Sequence, residues 1–256
     1  MRGGPLRYRV GTDYAQKLFS PYDGVGIAHY GTATIGDQTI LGLVEEFVAK
    51  QLRPAARPSP QDLGSLIEEF FTQKIESASA RADRQPRPGI LGFLVAGYDA
   101  KGIGRVLEVL LPRSASRPAE LDHGISTLKP GAIFRGQTRY IRRMLDGWDR
   151  EIANEKLTRW LGLSEREVSS FQGYFEESAS MRMQRIITLQ DALDYASFVV
   201  RMAIDMDRFT DGVVNQQGAM PVCGGRVQAL MVRRDVAQWV VQHTVKMMSG
   251  GIGEGV

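Results

Sequence analysis

The chain has 256 residues, 43% hydrophobic and 24% charged, with a formal net charge of +3 and only one cysteine. That is ordinary globular composition, enough for one large domain or two small ones. Its basic residues are scattered rather than gathered in a stripe, which gives no case for nucleic-acid binding. No apolar run is long enough to span a bilayer, and MRGGPLRYRV carries no apolar leader core. Lone Cys223 cannot form an internal disulfide, so a reducing compartment, the cytoplasm, is the expectation.

Met1 to Val10 reads as a basic, glycine-rich loop or ragged end. A short strand from Gln16 to Phe19 follows, then a turn at Pro21-Tyr22-Asp23-Gly24 and a second strand from Val25 to Tyr30. A glycine elbow from Gly31 to Gly36 opens directly into an amphipathic helix, with Asp37 near its first turn. Ile40, Leu41, Val44, Phe47, Val48 and Leu52 recur at helical spacing on one face. Backbone N–H groups at such an elbow can hold an anion or a developing oxyanion.

Arg53 to Pro58 is a linker, after which Ser59 caps a second helix and Pro60 takes its first position. Leu63, Leu66, Ile67, Phe70, Phe71 and Ile75 line its inner face, and the two helices are expected to lie antiparallel in one layer. Ser77 to Gly89 is expected as a loop. Ile90 to Ala100 is a nearly continuous apolar strand, returned through Lys101-Gly102 by Gly104 to Leu111 as a hairpin at the centre of a sheet. Pro112 to Leu121 is a loop. Ile133-Phe134 predicts a short strand before Gly136-Gln137-Thr138 and a helix carrying Tyr140, Ile141, Met144, Leu145 and Trp148 on one side.

Asp149 to Ile187 is charged and helical in pattern, with Glu151 to Leu161 and Glu165 to Glu177 as its helices, and is expected outside the main core. Thr188 caps a long helix with Leu189, Ala192, Leu193, Ala196, Val200, Ala203 and Ile204 as its buried face, ending near Asp207 to Gly212. Strands follow at Arg226 to Val232 and Ala237 to Gln242, and Met247 to Val256 is a frayed tail. The order predicts an α+β fold: a four-layer αββα sandwich as a single domain over 1–256, with a helical insert at about 149–187.

That order, with KLF at 17–19, GIAHYG at 26–31, IGD at 35–37, LGFLVAGYDAKGIGRVLEVLLP at 91–112, GQT at 136–138 and ALDYASFVVRMAIDMDRFTDG at 192–212, resembles the proteasome β-subunit family of N-terminal-nucleophile hydrolases. The resemblance implies a threonine-type peptide hydrolase whose N-terminal threonine attacks the substrate while its own α-amine acts as base; an α-amine titrates near neutrality. By position the activating lysine matches Lys17 and the oxyanion glycine matches Gly31. Asp207 matches the supporting aspartate, and Thr210 stands for a nearby serine, with Gly224-Gly225 competing for that register. Gln137 or Thr138 takes the place of a serine in a supporting turn.

The resemblance implies a homo-oligomeric ring acting on peptides or unfolded protein, with no cofactor, metal, nucleic acid or membrane. His29, His123 and His243 lie far apart, without cysteine or carboxylate at ligand spacing. The family places a whole β-hairpin with the nucleophile ahead of the lysine, whereas 16 residues precede Lys17 and none is a threonine in that place. The expectation is a start-site truncation of an active enzyme or a non-catalytic relative; truncation is favoured because missing first strands would leave Val25 to Tyr30 with an unpaired edge. The alternatives are a structural ring subunit and an N-terminal-nucleophile amidase acting on a small molecule.

Overall fold

A computed structural model of the chain describes residues 16–52, 57–81, 90–112, 132–146, 158–178, 188–209 and 224–241. Most of 53–58, the loop after Pro112, Trp148, Thr210, Gly212, Cys223 and both termini lie outside the described residues. The protein is α+β. Its main sheet runs β1–β2–β5–β6, antiparallel throughout. These strands are β1 (Leu18–Phe19), β2 (Val25–Gly31), β5 (Leu91–Tyr98) and β6 (Gly104–Leu111).

Helices α1 (Ile40–Gln51) and α2 (Pro60–Arg81) cover one face of this sheet. Alternation along the strands sends Val25, Ile27 and His29 of β2, and Leu91, Phe93 and Val95 of β5, toward them. Leu43, Val44 and Phe47 from α1 and Leu63, Ile67 and Phe71 from α2 close the core from above. Phe47, Phe70, Phe71 and Phe93 form an aromatic relay with successive ring centroids 5.4, 5.3 and 4.5 Å apart. Phe47 meets Phe70, while the turn just ahead of α1 passes close to Ala78 at Gly36, so the two helices run antiparallel. Glu46 joins them, bonded to Lys74 of α2 and Lys50 of its own helix at 2.8 and 2.7 Å.

Ser59 and Pro60 start α2 as the sequence predicts: Ser59 Oγ accepts from the Asp62 amide at 3.2 Å and donates to the Asp62 carboxylate at 2.7 Å. The structure departs from expectation in several places. The elbow does not feed straight into α1, because β3 (Thr34–Ile35) and β4 (Gln38–Thr39) form a small ribbon turning at Gly36-Asp37. Thr39 keeps an extended backbone and accepts from the Gly42 amide at 3.2 Å, so it caps α1 and leaves Asp37 before the helix. Helix α2 continues through 77–81, where alanine and serine without proline or glycine give nothing to end it. In the β5–β6 hairpin only β5 is interior; β6 is the outer strand of the described sheet. Strand β2 is not an open edge, since β1 pairs it at Leu18–Ala28 and Phe19–Ile27.

Across the other face lies the antiparallel hairpin of β7 (Ala229–Val232) and β8 (Ala237–Val241). Strand β7 crosses β2 at Gly26, where a Cβ would sit 2.8 Å from Val232 Cγ2 and 3.0 Å from Leu230 Cδ2. It begins at Ala229 rather than Arg226. A second apolar cluster joins α3 (Arg139–Asp146) to the long helix α5 (Leu189–Phe209) through Ile141, Leu145, Val199 and Ala203. Thr188 caps α5 reciprocally with Asp191, at 3.1 Å from the Asp191 amide to Thr188 Oγ1 and 2.9 Å from the Thr188 amide to the carboxylate.

The buried face of α5 is rotated from the one expected. Leu189, Ala196 and Val200 are exposed, while Tyr195, Val199 and Met202 turn inward with Ala203. Apolar residues occur nearly all round this helix, and its described packing partner is short α3, which selects a narrow stripe. Ile133-Phe134 forms no strand. Phe134 packs on the α3–α5 cluster and its carbonyl accepts from Arg135 Nη1 at 2.8 Å, taking the acceptor that a ladder would use. Within 149–187, the described part is a helical turn at 158–161 and helix α4 (Glu165–Ser178), with Trp160 80% exposed and Val168 buried. Residues 149–157 and 179–187 lie outside the described residues. Among the described residues, no helix is long and apolar enough to cross a membrane.

Candidate functional site

Lys17 stands just before β1, with its carbonyl accepting from the His29 amide at 3.0 Å and its amide donating to Gln228 Oε1 at 2.9 Å. Its backbone is thus tied to β2 on one side and to the approach of β7 on the other. Its side chain is exposed. Gly31 ends β2 opposite Leu91, with φ at +87°. A Cβ there would fall 2.0 Å from the Ile90 carbonyl oxygen, and the Thr32 amide donates to that same oxygen at 2.9 Å. Only glycine fits this elbow. Because Lys17 is bonded opposite His29, Lys17 and Gly31 lie at the same end of the β1–β2 ladder.

Asp207 is 3% exposed on α5, one and two turns beyond Ala203 and Val199 on the inner stripe. It therefore lies on the helix face that carries the second cluster. Thr210 lies outside the described residues; Gly224-Gly225, its competitor for register, precedes β7, with φ +82° at Gly225. Gln137 is exposed, and the Thr138 carbonyl accepts from the Arg142 amide at 2.8 Å in the first turn of α3.

Two features beside this site were not singled out from the sequence. His29 is 7% exposed, stacked on Phe19 with centroids 5.9 Å apart and tilted against Phe93. Its Nε2 lies 3.3 Å from the Gln16 carbonyl and so carries the proton, leaving buried Nδ1 without a hydrogen-bond partner. Burial pushes its pKa down to about 4, and the Lys17 charge acts in the same direction. His29 is therefore neutral at neutral pH. The only hint in the sequence is a histidine at an inward position of an apolar strand.

The second is a cluster on the opposite face of the sheet. Tyr30 lies across Gly92, where a Cβ would come 2.1 Å from its ring, and its hydroxyl donates to Glu108 of β6. Arg135 grips both oxygens of that carboxylate, Nε to Oε1 at 2.5 Å and Nη2 to Oε2 at 3.1 Å. Burial, then the bond to Glu108, raises the Tyr30 pKa above its ordinary value. Period-two alternation puts Tyr30 and Glu108 on one face, but the spacing to Arg135 carries no such information. Among the described residues, no group of three or more His, Cys, Asp or Glu side chains could hold a metal ion. No protein-family model matches this chain, and no curated protein matches it.

Proposed function

We propose that the chain is a subunit of a proteasome-like peptide hydrolase of the threonine type, built as a four-layer αββα sandwich and assembled in a closed homo-oligomeric ring. The observation that carries this is the shared position of Lys17 and Gly31 at one end of the β1–β2 ladder, with α1–α2 on one face of the sheet and β7 across the other. In such an enzyme a threonine hydroxyl placed beside Lys17 attacks the peptide carbonyl, and its α-amine accepts the proton. The Lys17 ammonium stabilises the forming alkoxide, and a backbone N–H at Gly31 stabilises the oxyanion. Asp207 supports the centre from α5, and Thr210 enters through the family resemblance alone. The cytoplasm, peptide or unfolded-protein substrates and the absence of a cofactor belong to the same proposal.

A non-catalytic ring subunit is the second candidate. The exposed Lys17 side chain, with no ion-pair partner among the described residues, suits a solvated surface charge as well. Turnover of a peptide panel beside a panel of small amides, with the full-length gene product, separates these possibilities. Peptide cleavage lost in Lys17→Ala, with an unchanged circular dichroism spectrum, is the expected result. Cleavage of small amides alone points to an amidase instead, and no cleavage of either class to the structural subunit. A monomer mass by light scattering across micromolar concentrations rules out the ring.

A further inference from the structure

We infer that Tyr30, Glu108 and Arg135 form a positioning clamp that sets the Gly136–Thr138 turn, and with it α3 and α5, against the Gly31 elbow. The catalytic consequence of the clamp rests on the hydrolase proposed above; the clamp itself does not. Each member comes from a different part of the chain. Tyr30 is the residue before Gly31, Glu108 sits two strands away on β6, and Arg135 lies in the irregular segment leading to α3.

The geometry is built for this contact. Tyr30 is paired with Gly92, so its ring can lie flat across β5 and reach a carboxylate on the far strand. Any side chain at 92 would evict it. Glu108 is 11% exposed at its side chain and spends both oxygens on the clamp, while Arg135 is 23% exposed. Gly136 then brings the backbone close over the same residue, its Cβ position 3.6 Å from Tyr30 Cβ.

Segment 132–138 forms no strand, and the Arg135–Glu108 bonds, with Gly136 close over Tyr30, join it to the sheet among the described residues. Three residues past Gly136 the chain enters α3, whose Ile141 and Leu145 pack on α5. Helix α5 in turn carries Asp207. The clamp is thus a physical link from the Gly31 elbow to the helix pair bearing the candidate supporting carboxylate. A bidentate arginine–carboxylate pair fixes direction as well as distance, which is what such a link needs.

The test uses Tyr30→Phe, Arg135→Met and the double variant in the full-length protein, with backbone amide exchange read by mass spectrometry and peptide turnover beside it. Tyr30→Phe keeps the ring on Gly92 and removes one bond, so it folds. Exchange in residues 30–34 and 132–138 is expected to speed up by about tenfold or more, with 91–98 unchanged, because the loss is local. The double variant should match Arg135→Met rather than the sum, because both act through Glu108. In an active enzyme, kcat should fall on the order of tenfold to a hundredfold with KM little changed, as displacement of a positioned group produces. Wild-type exchange in both segments overturns the clamp, whatever the activity. Faster exchange with unchanged kcat overturns its role in the site. If the wild type cleaves no peptide, the hydrolase proposal fails and the exchange data alone decide the clamp.

Discussion

His29 makes this fold sensitive to mild acid. It is held neutral between Phe19 and Phe93, beside the Lys17 charge, with its pKa lowered from 6.5 to about 4. Above pH 6.5 it is neutral in both folded and unfolded chains and contributes no pH dependence. Below that, the unfolded chain binds a proton that the folded chain refuses, so stability falls as pH drops from about 6.5 and the loss levels off near 4. A drop of that size corresponds to roughly 3 kcal/mol across the window, at 1.36 kcal/mol per pKa unit. Urea midpoints for wild type and His29→Phe from pH 8 to 4.5 measure it. The phenyl ring keeps the stacking and removes the titration, so any cost of losing the bond to the Gln16 carbonyl is constant with pH. Glu46, bonded to Lys50 and Lys74, and Asp99, bonded by the Ile103 amide, are held below the usual carboxylate range, but both variants share them and the difference curve removes them. The wild-type curve should fall below pH 6.5 while the variant stays flatter. Parallel curves would refute a buried neutral His29, and Lys17→Ala, by relieving repulsion of the imidazolium, should raise the folded-state pKa, so that the descent levels off at higher pH and its total size shrinks.

Phe71→Ala empties the centre of the aromatic relay between Phe70 and Phe93 and should cost about 3–5 kcal/mol in denaturant titration. Gly31→Ala meets the Ile90 carbonyl and a positive φ together, and should lower stability by at least about 1–3 kcal/mol, seen as a reduced melting temperature. Ser59→Ala removes the cap of α2 and should cost about 1 kcal/mol by the same measurement, while Ser59→Asp, which can still cap, should lose less.

The parts of the fold that local pattern controls were legible. The β5–β6 hairpin announces itself by an apolar run, a Lys-Gly turn and a second run, and Ser59-Pro60 and Thr188 are caps whose chemistry acts within three residues. What failed depended on distant partners. The inward face of α5 is chosen by α3, nearly fifty residues upstream, and the fate of Ile133-Phe134 by the Arg135–Glu108 pair. The ribbon before α1 is not legible in the sequence, because two-residue strands have no periodicity. Of the candidate site, the placement of Lys17 and Gly31 at one sheet end follows from the register of a turn read correctly from Pro21 to Gly24. Tyr30, Glu108 and Arg135 escaped because their meeting requires a ring crossing a whole strand over Gly92.

The central claim is a hydroxyl and an α-amine on one N-terminal residue, acting beside Lys17. A peptide epoxyketone reacts with that pair of groups together, so the intact mass of the full-length gene product before and after treatment tests the claim directly. The account predicts one inhibitor mass per processed subunit, located on an N-terminal threonine, with labelling lost in Lys17→Ala. A subunit that stays unlabelled at saturating inhibitor, or one labelled at an internal residue, would contradict it.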